Sequence, residues 1–181
     1  MGFSLLTFAL LVAGIIALHS IYIATKRATS ENGNDFKAYM IAADAIAQGQ
    51  NPYRADYPAA PYLYPPIVAL TLFPLALPPL AVSAALWAVL NCSCLAYVLL
   101  FALRPFRESL SKKSLATAIL IFTLSTLAVF QQNLAHGQIN FVVIAGLVGA
   151  YQLLQLRYMN SAALVAALAI SVKLTPGLIL V

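Results

Sequence analysis

Charged residues are scarce in this sequence. Asp, Glu, Lys and Arg together make up 8% of the 181 residues, whereas about 25% is usual for soluble globular domains. Hydrophobic residues account for 62% of the chain. This composition excludes an ordinary soluble domain, and it predicts a protein whose natural solvent is a lipid bilayer.

Acidic residues and histidines are especially few. The chain has five Asp and Glu residues and two His residues, so a mechanism with paired carboxylates would have to draw on Asp35, Asp44 and Asp56. The sequence also lacks a Gly-rich phosphate loop, a Gly-x-Ser-x-Gly elbow and any His, Cys or carboxylate cluster with metal-ligand spacing. No cofactor is therefore predicted, and the sequence leaves a metal requirement open.

Cysteine is nearly absent too. Cys92 and Cys94 lie inside an apolar run, where a spacing of two places them on different sides of a helix. No His or acidic residue lies nearby to complete a metal site. We interpret both as small buried residues of a membrane helix.

Basic residues are scattered between the apolar blocks. Ten Lys and Arg residues give a formal net charge of +5, but no basic stripe with interleaved aromatic residues is present. The pattern therefore argues against a nucleic-acid partner and indicates an orientation signal in a membrane. Four of the ten cations lie in one loop, residues 104–113.

Apolar runs divide the chain into membrane segments. A helix needs about 20 apolar residues to cross the hydrocarbon core, and five runs approach or reach this length: residues 3–25, 81–103, 114–130, 139–156 and 161–181. For the first run, a cleaved signal peptide is the alternative. No basic residue precedes this run, and it is long for a signal core, so we favour a retained helix. The prediction is an all-α, polytopic membrane protein with about five spanning helices.

A shorter apolar run, residues 65–79, carries Pro74 in its interior and is too short to span. If this run is re-entrant or juxtamembrane, the basic loop and Arg157 share the cytoplasmic side. The loop 26–80, the turn 136–138 and Lys173 then meet at the opposite face. We expect residues 1–181 to form a single membrane domain. Because the chain ends within an apolar run, we expect it to be the N-terminal part of a longer protein or a truncated gene product.

The polar stretch 34–53 has the pattern of a short amphipathic helix. Asn32-Gly33 marks a turn, Asn34 or Asp35 is a plausible N-cap, and Gly49 ends the helix. Apolar residues recur at helical spacing, at Phe36, Tyr39, Met40, Ala43 and Ala47, while Lys37, Asp44 and Gln48 share another face. Such a helix is suited to lying at the membrane surface.

The local pattern gives each polar candidate two interpretations. Asp35 either caps a helix, which contributes about 1 kcal/mol, or does chemistry. Lys37 and Arg54 are either phosphate contacts or solvated charges, and His136 is either functional or a hydrogen-bonded structural group.

Lys173 lies within the last apolar run, where an ionisable residue is costly and indicates function unless its side chain snorkels to the interface. Pro176, one turn later, would free backbone carbonyls to face a cavity.

The order of short motifs resembles glycosyltransferase family 87, the polyprenyl-phosphate-mannose-dependent mannosyltransferases of the GT-C superfamily. The resemblance covers nearly the whole chain, but only the N-terminal half of a family member. It rests on Asp35, Tyr39, Ala42, Gly49, Pro52 and Tyr53, on Tyr64-Pro65-Pro66, on Pro74-Leu75, on Trp87 and Asn91, on Gly137-Gln138-x-Asn140, and on Lys173-x-x-Pro176.

The resemblance implies a reaction and roles for several residues. It implies inverting transfer of a hexose, mannose in the family, from a polyprenyl-phosphate-sugar donor to a lipid or glycan acceptor, at the extracytoplasmic face of the cell membrane. Asp35 matches an essential Asp of the first extracytoplasmic loop and would be the general base. The expected substrate contacts are Lys173, His136, Gln138, Tyr39 and Lys37.

Two other classes of protein compete with this interpretation. A transporter or lipid flippase fragment would use Lys173 as an intramembrane coupling charge, although the sequence shows no inverted repeat. A structural or assembly subunit would have no catalytic function.

Overall fold

The structure is a computed structural model that describes residues 4–58, 61–106 and 109–173. Within these ranges the chain forms α-helices and short 3-10 turns and contains no strand, which confirms the all-α prediction. The helices are α1 (Leu5–Ala28), α2 (Asp35–Ala47), α3 (Pro66–Leu72), α4 (Leu80–Leu103), α5 (Lys112–Ala135), α6 (Asn140–Gln155) and α7 (Met159–Val172).

Three of these helices are long and apolar enough to cross a membrane. They are α1, α5, and α4 with the 3-10 turn Arg104–Phe106 that extends it. A helix of 24 residues is about 36 Å long, which exceeds the hydrocarbon thickness of about 30 Å. α6 and α7 are apolar but shorter within the described residues. The prediction of five spans therefore stays a prediction, and residues 174–181 of the fifth run, Pro176 included, lie outside the described residues.

α5 extends beyond the apolar run 114–130 at its C-terminal end. The run stops at residue 130, but the helix continues to Ala135, so the polar turn begins only at residue 136, as expected. Gln131 and Asn133 are compatible with a helical turn, so polarity alone does not end the helix. The chain leaves the helix at Gly137, whose φ of +68° is readily adopted only by glycine.

The long helices pack side by side, and successive long helices along the chain run in opposite directions. α1 packs against α4 and α5, α4 packs against α6, and α6 packs against α7. The end of α5 lies beside the start of α2, where the Asn34 side-chain amide donates a hydrogen bond to the Ala135 backbone carbonyl (3.1 Å). We call this end of the bundle, with α2, α3, residues 136–139 and Lys173, the polar end. The opposite end, with residues 104–106, 109–113 and Arg157, is the basic end.

The apolar run 65–79 forms only a short helical segment. α3 and the 3-10 turn Phe73–Leu75 together cover only ten residues, Pro66–Leu75, or about 15 Å as a helix. Val68, Ala69 and Leu72 are buried in the core cluster that also holds α2 residues. The structure thus agrees with a non-spanning segment at the polar end of the bundle.

α2 is more deeply buried than a helix lying on a membrane surface. Its predicted apolar residues Phe36, Tyr39, Met40 and Ala43 are buried, but so are Ala38, Ala42 and Ala45, while Ala47 is exposed. α3 and α4 pack against it. α2 is therefore a core element of the polar end, and more of its surface is buried than its apolar periodicity indicates.

Candidate active site

A cleft of about 600 Å³ opens at the polar end. Its walls come from the start of α2, from the segment that precedes α3, and from the end of α7. The lining residues are Asp35, Ala38, Tyr39, Tyr53, Pro61, Tyr62, Leu63, Tyr64, Pro65, Pro66, Ser171, Val172 and Lys173. The cleft thus combines one carboxylate, one ammonium group, several tyrosines and an apolar wall.

Asp35 occupies the first position of α2 but does not cap the helix. Asn34 is the N-cap, and its side-chain oxygen accepts a hydrogen bond from the Lys37 backbone N–H (3.3 Å). Among the described residues, the Asp35 carboxylate has no hydrogen bond or ion pair. The capping interpretation of Asp35 is therefore wrong, and its carboxylate is available to a ligand in the cleft.

The surroundings of Asp35 make its carboxylate a stronger base than a solvated one. Partial burial raises the pKa of the carboxyl above its ordinary value of 3.8, while the nearby side chains of His136 and Lys173 act in the opposite direction. A base of raised pKa accepts a proton more readily in the transition state.

The turn between α5 and α6 fixes the start of α2. The Asp35 backbone N–H donates to the His136 carbonyl (3.0 Å), and the Trp87 indole N–H donates to the Gly137 carbonyl (3.0 Å). Trp87 also stacks on Phe36, with 5.6 Å between ring centroids. A Cβ at position 137 would lie 2.7 Å from the Phe36 backbone nitrogen, so this close approach requires glycine.

Lys173 is held at the cleft by a chain of side-chain hydrogen bonds. Its ammonium group donates to the side-chain oxygen Oδ1 of Asn140 (2.6 Å), and the side-chain Nδ2 of Asn140 donates to the side-chain oxygen Oε1 of Gln138 (2.7 Å). Lys173 follows the last turn of α7 in an extended conformation and is half-buried. These contacts favour a placed charge over a side chain that snorkels to the interface.

The tyrosines of the cleft form a packed aromatic cluster. The Tyr39 ring lies edge-on to those of Tyr62 and Tyr64, with centroids 6.4 and 5.1 Å away. The buried Tyr39 hydroxyl makes no hydrogen bond of ordinary geometry among the described residues, although the Tyr64 hydroxyl is near enough for the two groups to affect each other's pKa. Burial raises the pKa of Tyr39 and Tyr64, and it raises that of Tyr62 to about 12. All three therefore remain protonated hydrogen-bond donors at neutral pH.

Three predicted site residues do not line the cleft. The Lys37 ammonium group donates to the carbonyls of Ser30 and Glu31 (3.0 and 3.1 Å). The His136 side chain is exposed beside the cleft and acts on Asp35 only through its charge. Gln138 reaches the cleft only indirectly, through Asn140. Arg54, also considered as a phosphate contact, is exposed outside the lining.

Sequence reasoning missed two parts of the site. Asn140 belongs to the quoted motif, but nothing in its spacing shows that it contacts Lys173, which is 33 residues away in the chain. Tyr53, Tyr62 and Tyr64 were not proposed as site residues either. The density of tyrosines between positions 53 and 64 was the available signal.

Comparison with protein families adds an independent finding. Residues 62–181 match glycosyltransferase family 87, a range that includes Tyr62, Asn140 and Lys173 and begins after Asp35. No curated protein and no solved structure matches the chain. The family match covers about two thirds of the 181 residues. The chain therefore belongs to glycosyltransferase family 87.

Proposed function

We propose that this membrane glycosyltransferase moves a hexose from a polyprenyl-phosphate-sugar donor to a hydroxyl of a lipid or glycan acceptor. We take the hexose to be mannose, which the resemblance to the family's mannosyltransferases implies. One observation carries the proposal: the unpaired Asp35 carboxylate and the tethered Lys173 ammonium group line the same cleft. A base for the acceptor and a cation for a phosphate are the two groups that such a transfer needs.

Asp35 would act as the general base. As the acceptor oxygen attacks the anomeric carbon, its proton passes to the Asp35 carboxylate. The bond between the anomeric carbon and the donor phosphate oxygen breaks, and the electron pair leaves with polyprenyl phosphate. The phosphate leaves already ionised and needs no acid. General base catalysis of this kind contributes about 10²- to 10⁴-fold in rate.

Lys173 would bind the leaving phosphate. Its position is set by Asn140, which Gln138 holds from the other side. A positioned cation stabilises the charge that develops on the phosphate in the transition state, and removal of one such group typically costs about 10²- to 10³-fold in rate. Gln138 would thus contribute through Asn140 and not by direct contact.

The rest of the cleft suits a sugar on a lipid carrier. The buried hydroxyl of Tyr39 can donate to a sugar or phosphate oxygen. The wall formed by Leu63, Pro65 and Pro66 is apolar, and it leads towards α3. This wall would contact the first isoprene units of the donor, while the tyrosines contact the sugar.

The number of carboxyl groups in the cleft supports inversion at the anomeric carbon. Among the described residues, Asp35 is the one acidic residue that lines the cleft, and Asp44 and Asp56 are exposed elsewhere. A covalent glycosyl intermediate on a carboxylate would require a second carboxyl group about 5 Å away. A single displacement needs only the base, and it inverts the configuration.

The clustering of cations, rather than their number, favours an extracytoplasmic active site in the cell membrane. Each end of the bundle carries five Lys and Arg residues, but four of those at the basic end belong to one short loop, residues 104–113. Because short positively charged loops tend to stay in the cytoplasm, the cleft would face outwards, as the resemblance to the GT-C superfamily implies.

The test is a transfer assay with the purified full-length protein in lipid nanodiscs. Labelled polyprenyl-phosphate mannose is supplied with total membrane lipids, and parallel reactions contain nucleotide-activated mannose or other polyprenyl-phosphate sugars. We expect a mannosylated lipid or glycan only with the polyprenyl donor, with inverted anomeric configuration by NMR. Transfer from the nucleotide sugar alone, or a product of retained configuration, would refute the proposal.

A further inference from the structure

A second cleft, of about 520 Å³, lies at the basic end of the bundle. It is bounded by the end of α4, the start of α5 and the end of α6. Leu100, Phe101 and Leu115 give it an apolar wall, and Gln152 and Arg104 are its main polar residues. It lies at the other end of the bundle from the candidate active site, and the proposed transfer reaction does not use it.

The mouth of this cleft is positive. The described residues beside it, 104–106 and 109–113, include three cations, Arg104, Lys112 and Lys113, and no acid. Arg104 lines the cleft itself. Lys112 is exposed three residues before Leu115, and residues at this spacing share one helix face. Arg104 and Lys112 therefore lie at the rim of an apolar cleft.

Two further observations point to an anion. Lys112 and Lys113 open α5, where the helix dipole disfavours cations, so the helix gains no stability from them. Four of the five acids of the chain, Glu31, Asp35, Asp44 and Asp56, belong to the segment between α1 and α3 at the polar end. Any anion that balances the basic end must therefore come largely from outside the chain.

We propose that this cleft binds one anionic phospholipid of the adjacent leaflet. The lipid phosphate would contact Arg104 and Lys112, and an acyl chain would lie against Leu100, Phe101 and Leu115. A lipid fits better than a soluble anion because the wall below the cations is apolar. α4 and α5 have the length of membrane spans, so their junction lies at the depth of lipid headgroups.

The experiment is a lipid titration of the detergent-solubilised full-length protein, followed by native mass spectrometry. Phosphatidylglycerol and phosphatidylcholine with identical acyl chains are compared, and glycerol 1-phosphate serves as a headgroup without chains. The headgroup of phosphatidylglycerol is a net anion, whereas the choline of phosphatidylcholine neutralises its phosphate. Because Lys and Arg at the membrane surface attract anionic headgroups, we expect one phosphatidylglycerol to bind about tenfold or more tightly than phosphatidylcholine. Equal binding of the two lipids, or equally tight binding of glycerol 1-phosphate, would overturn the proposal.

Three variants separate a built site from diffuse surface charge. Arg104→Gln combined with Lys112→Gln should abolish the preference for phosphatidylglycerol. Lys26→Gln combined with Arg27→Gln removes the same charge at the other end of the bundle and should leave the preference unchanged.

Leu115→Trp fills the cleft without changing charge and should also weaken phosphatidylglycerol binding. The helical circular dichroism signal and melting temperature report whether each variant folds. The lipid site is refuted if the two double variants show the same preference for phosphatidylglycerol. It is also refuted if a folded Leu115→Trp protein binds phosphatidylglycerol as tightly as the wild type.

Discussion

Asp35 occupies a helix start, where aspartate usually serves as a cap, yet Asn34 caps this helix. The sequence alone left both residues open as caps because both types favour that position. The structure decides between them by backbone geometry, since Asn34 is extended and Asp35 is already helical. The carboxylate that this arrangement leaves free is half-buried, and its burial has a cost in stability.

This cost gives a prediction for Asp35→Asn. The pKa of Asp35 is raised in the folded state. Below the pKa of the unfolded state the neutral carboxyl therefore carries no penalty, and as pH rises through the folded-state pKa its ionisation lowers the free energy of unfolding. At pH 7 the substitution removes a half-buried charge, so we expect the melting temperature to rise by about 1–3 °C. This gain should vanish near pH 4. Differential scanning fluorimetry at both pH values measures the change.

Asp44→Asn is the matched control for this stability measurement. Asp44 lies on the same helix but is exposed, so its substitution should leave the melting temperature nearly unchanged. A lower melting temperature of Asp35→Asn at pH 7 would mean that the carboxylate stabilises the fold, which the account does not allow.

Lys173 should influence the pH profile of the reaction through Asp35. The base must be deprotonated, so kcat/KM should fall on the acidic side at the pKa of Asp35. Since the charge of Lys173 lowers that pKa, Lys173→Gln should move the acidic limb to higher pH. It should also reduce kcat by about 10²- to 10³-fold. The measurement is kcat/KM from pH 4 to pH 9.

Lys37→Gln serves as the control for the pH profile. It removes a cation from the same helix as Asp35, but the Lys37 ammonium group contacts the Ser30 and Glu31 carbonyls outside the cleft. It should change neither the position of the acidic limb of the kcat/KM profile nor kcat substantially. A profile that is identical in wild type and Lys173→Gln would show that Lys173 does not act on the base.

At the scale of elements, the apolar runs predicted most of the long helices because membrane spans are defined by length and composition. The end of α5 does not coincide with the end of the apolar run, because it depends on Gly137 and its close approach to Phe36 and not on polarity. The burial of α2 was also missed. Its own periodicity shows one apolar face, whereas the alanines on its flanks are buried only because α3 and α4 pack there.

The same limit applies to the candidate site. Asp35, Tyr39 and Lys173 could be named from motif order, and the structure brings them to one cleft. The bond between Lys173 and Asn140 could not be predicted because it depends on how α6 and α7 pack as a hairpin. Lys37 could not be excluded, since its spacing does not show that its side chain turns towards the preceding loop.

Gly137 gives a prediction at this scale. Gly137→Ala places a Cβ 2.7 Å from the Phe36 nitrogen, at a φ of +68°. We expect a loss of about 3 kcal/mol in unfolding free energy, from left-handed strain together with displacement of the turn from α2. Transfer activity should fall as well, because this turn positions Asp35. Thermal and denaturant unfolding measure the stability.

Gly49→Ala separates the two causes of this loss. Gly49 has a similar φ of +70°, but no atom lies within 4 Å of its added Cβ. Its substitution should lower the free energy of unfolding only by the strain of an alanine at positive φ, about 1 kcal/mol. It should leave the transfer activity unchanged. Equal losses at both positions would show that the contact with Phe36 contributes nothing.

For the whole molecule, we predict that the polar and basic ends of the bundle lie on opposite sides of a membrane. In a background with Cys92→Ala and Cys94→Ala, single cysteines at the exposed positions Asp44 and Ser109 should react with a membrane-impermeant maleimide from opposite sides. Position 44 should label in intact cells, and position 109 only after the membrane is opened. Labelling of both positions in intact cells would refute the topology.

The central claim is that the Asp35 carboxylate is the base of a sugar transfer in the polar-end cleft. Its most direct test is the single-turnover rate of transfer from polyprenyl-phosphate mannose by wild type, Asp35→Asn and Asp44→Asn. We predict that Asp35→Asn stays folded and loses about 10²-fold or more in rate, while Asp44→Asn retains the wild-type rate. A folded Asp35→Asn protein that transfers mannose at the wild-type rate would contradict the account.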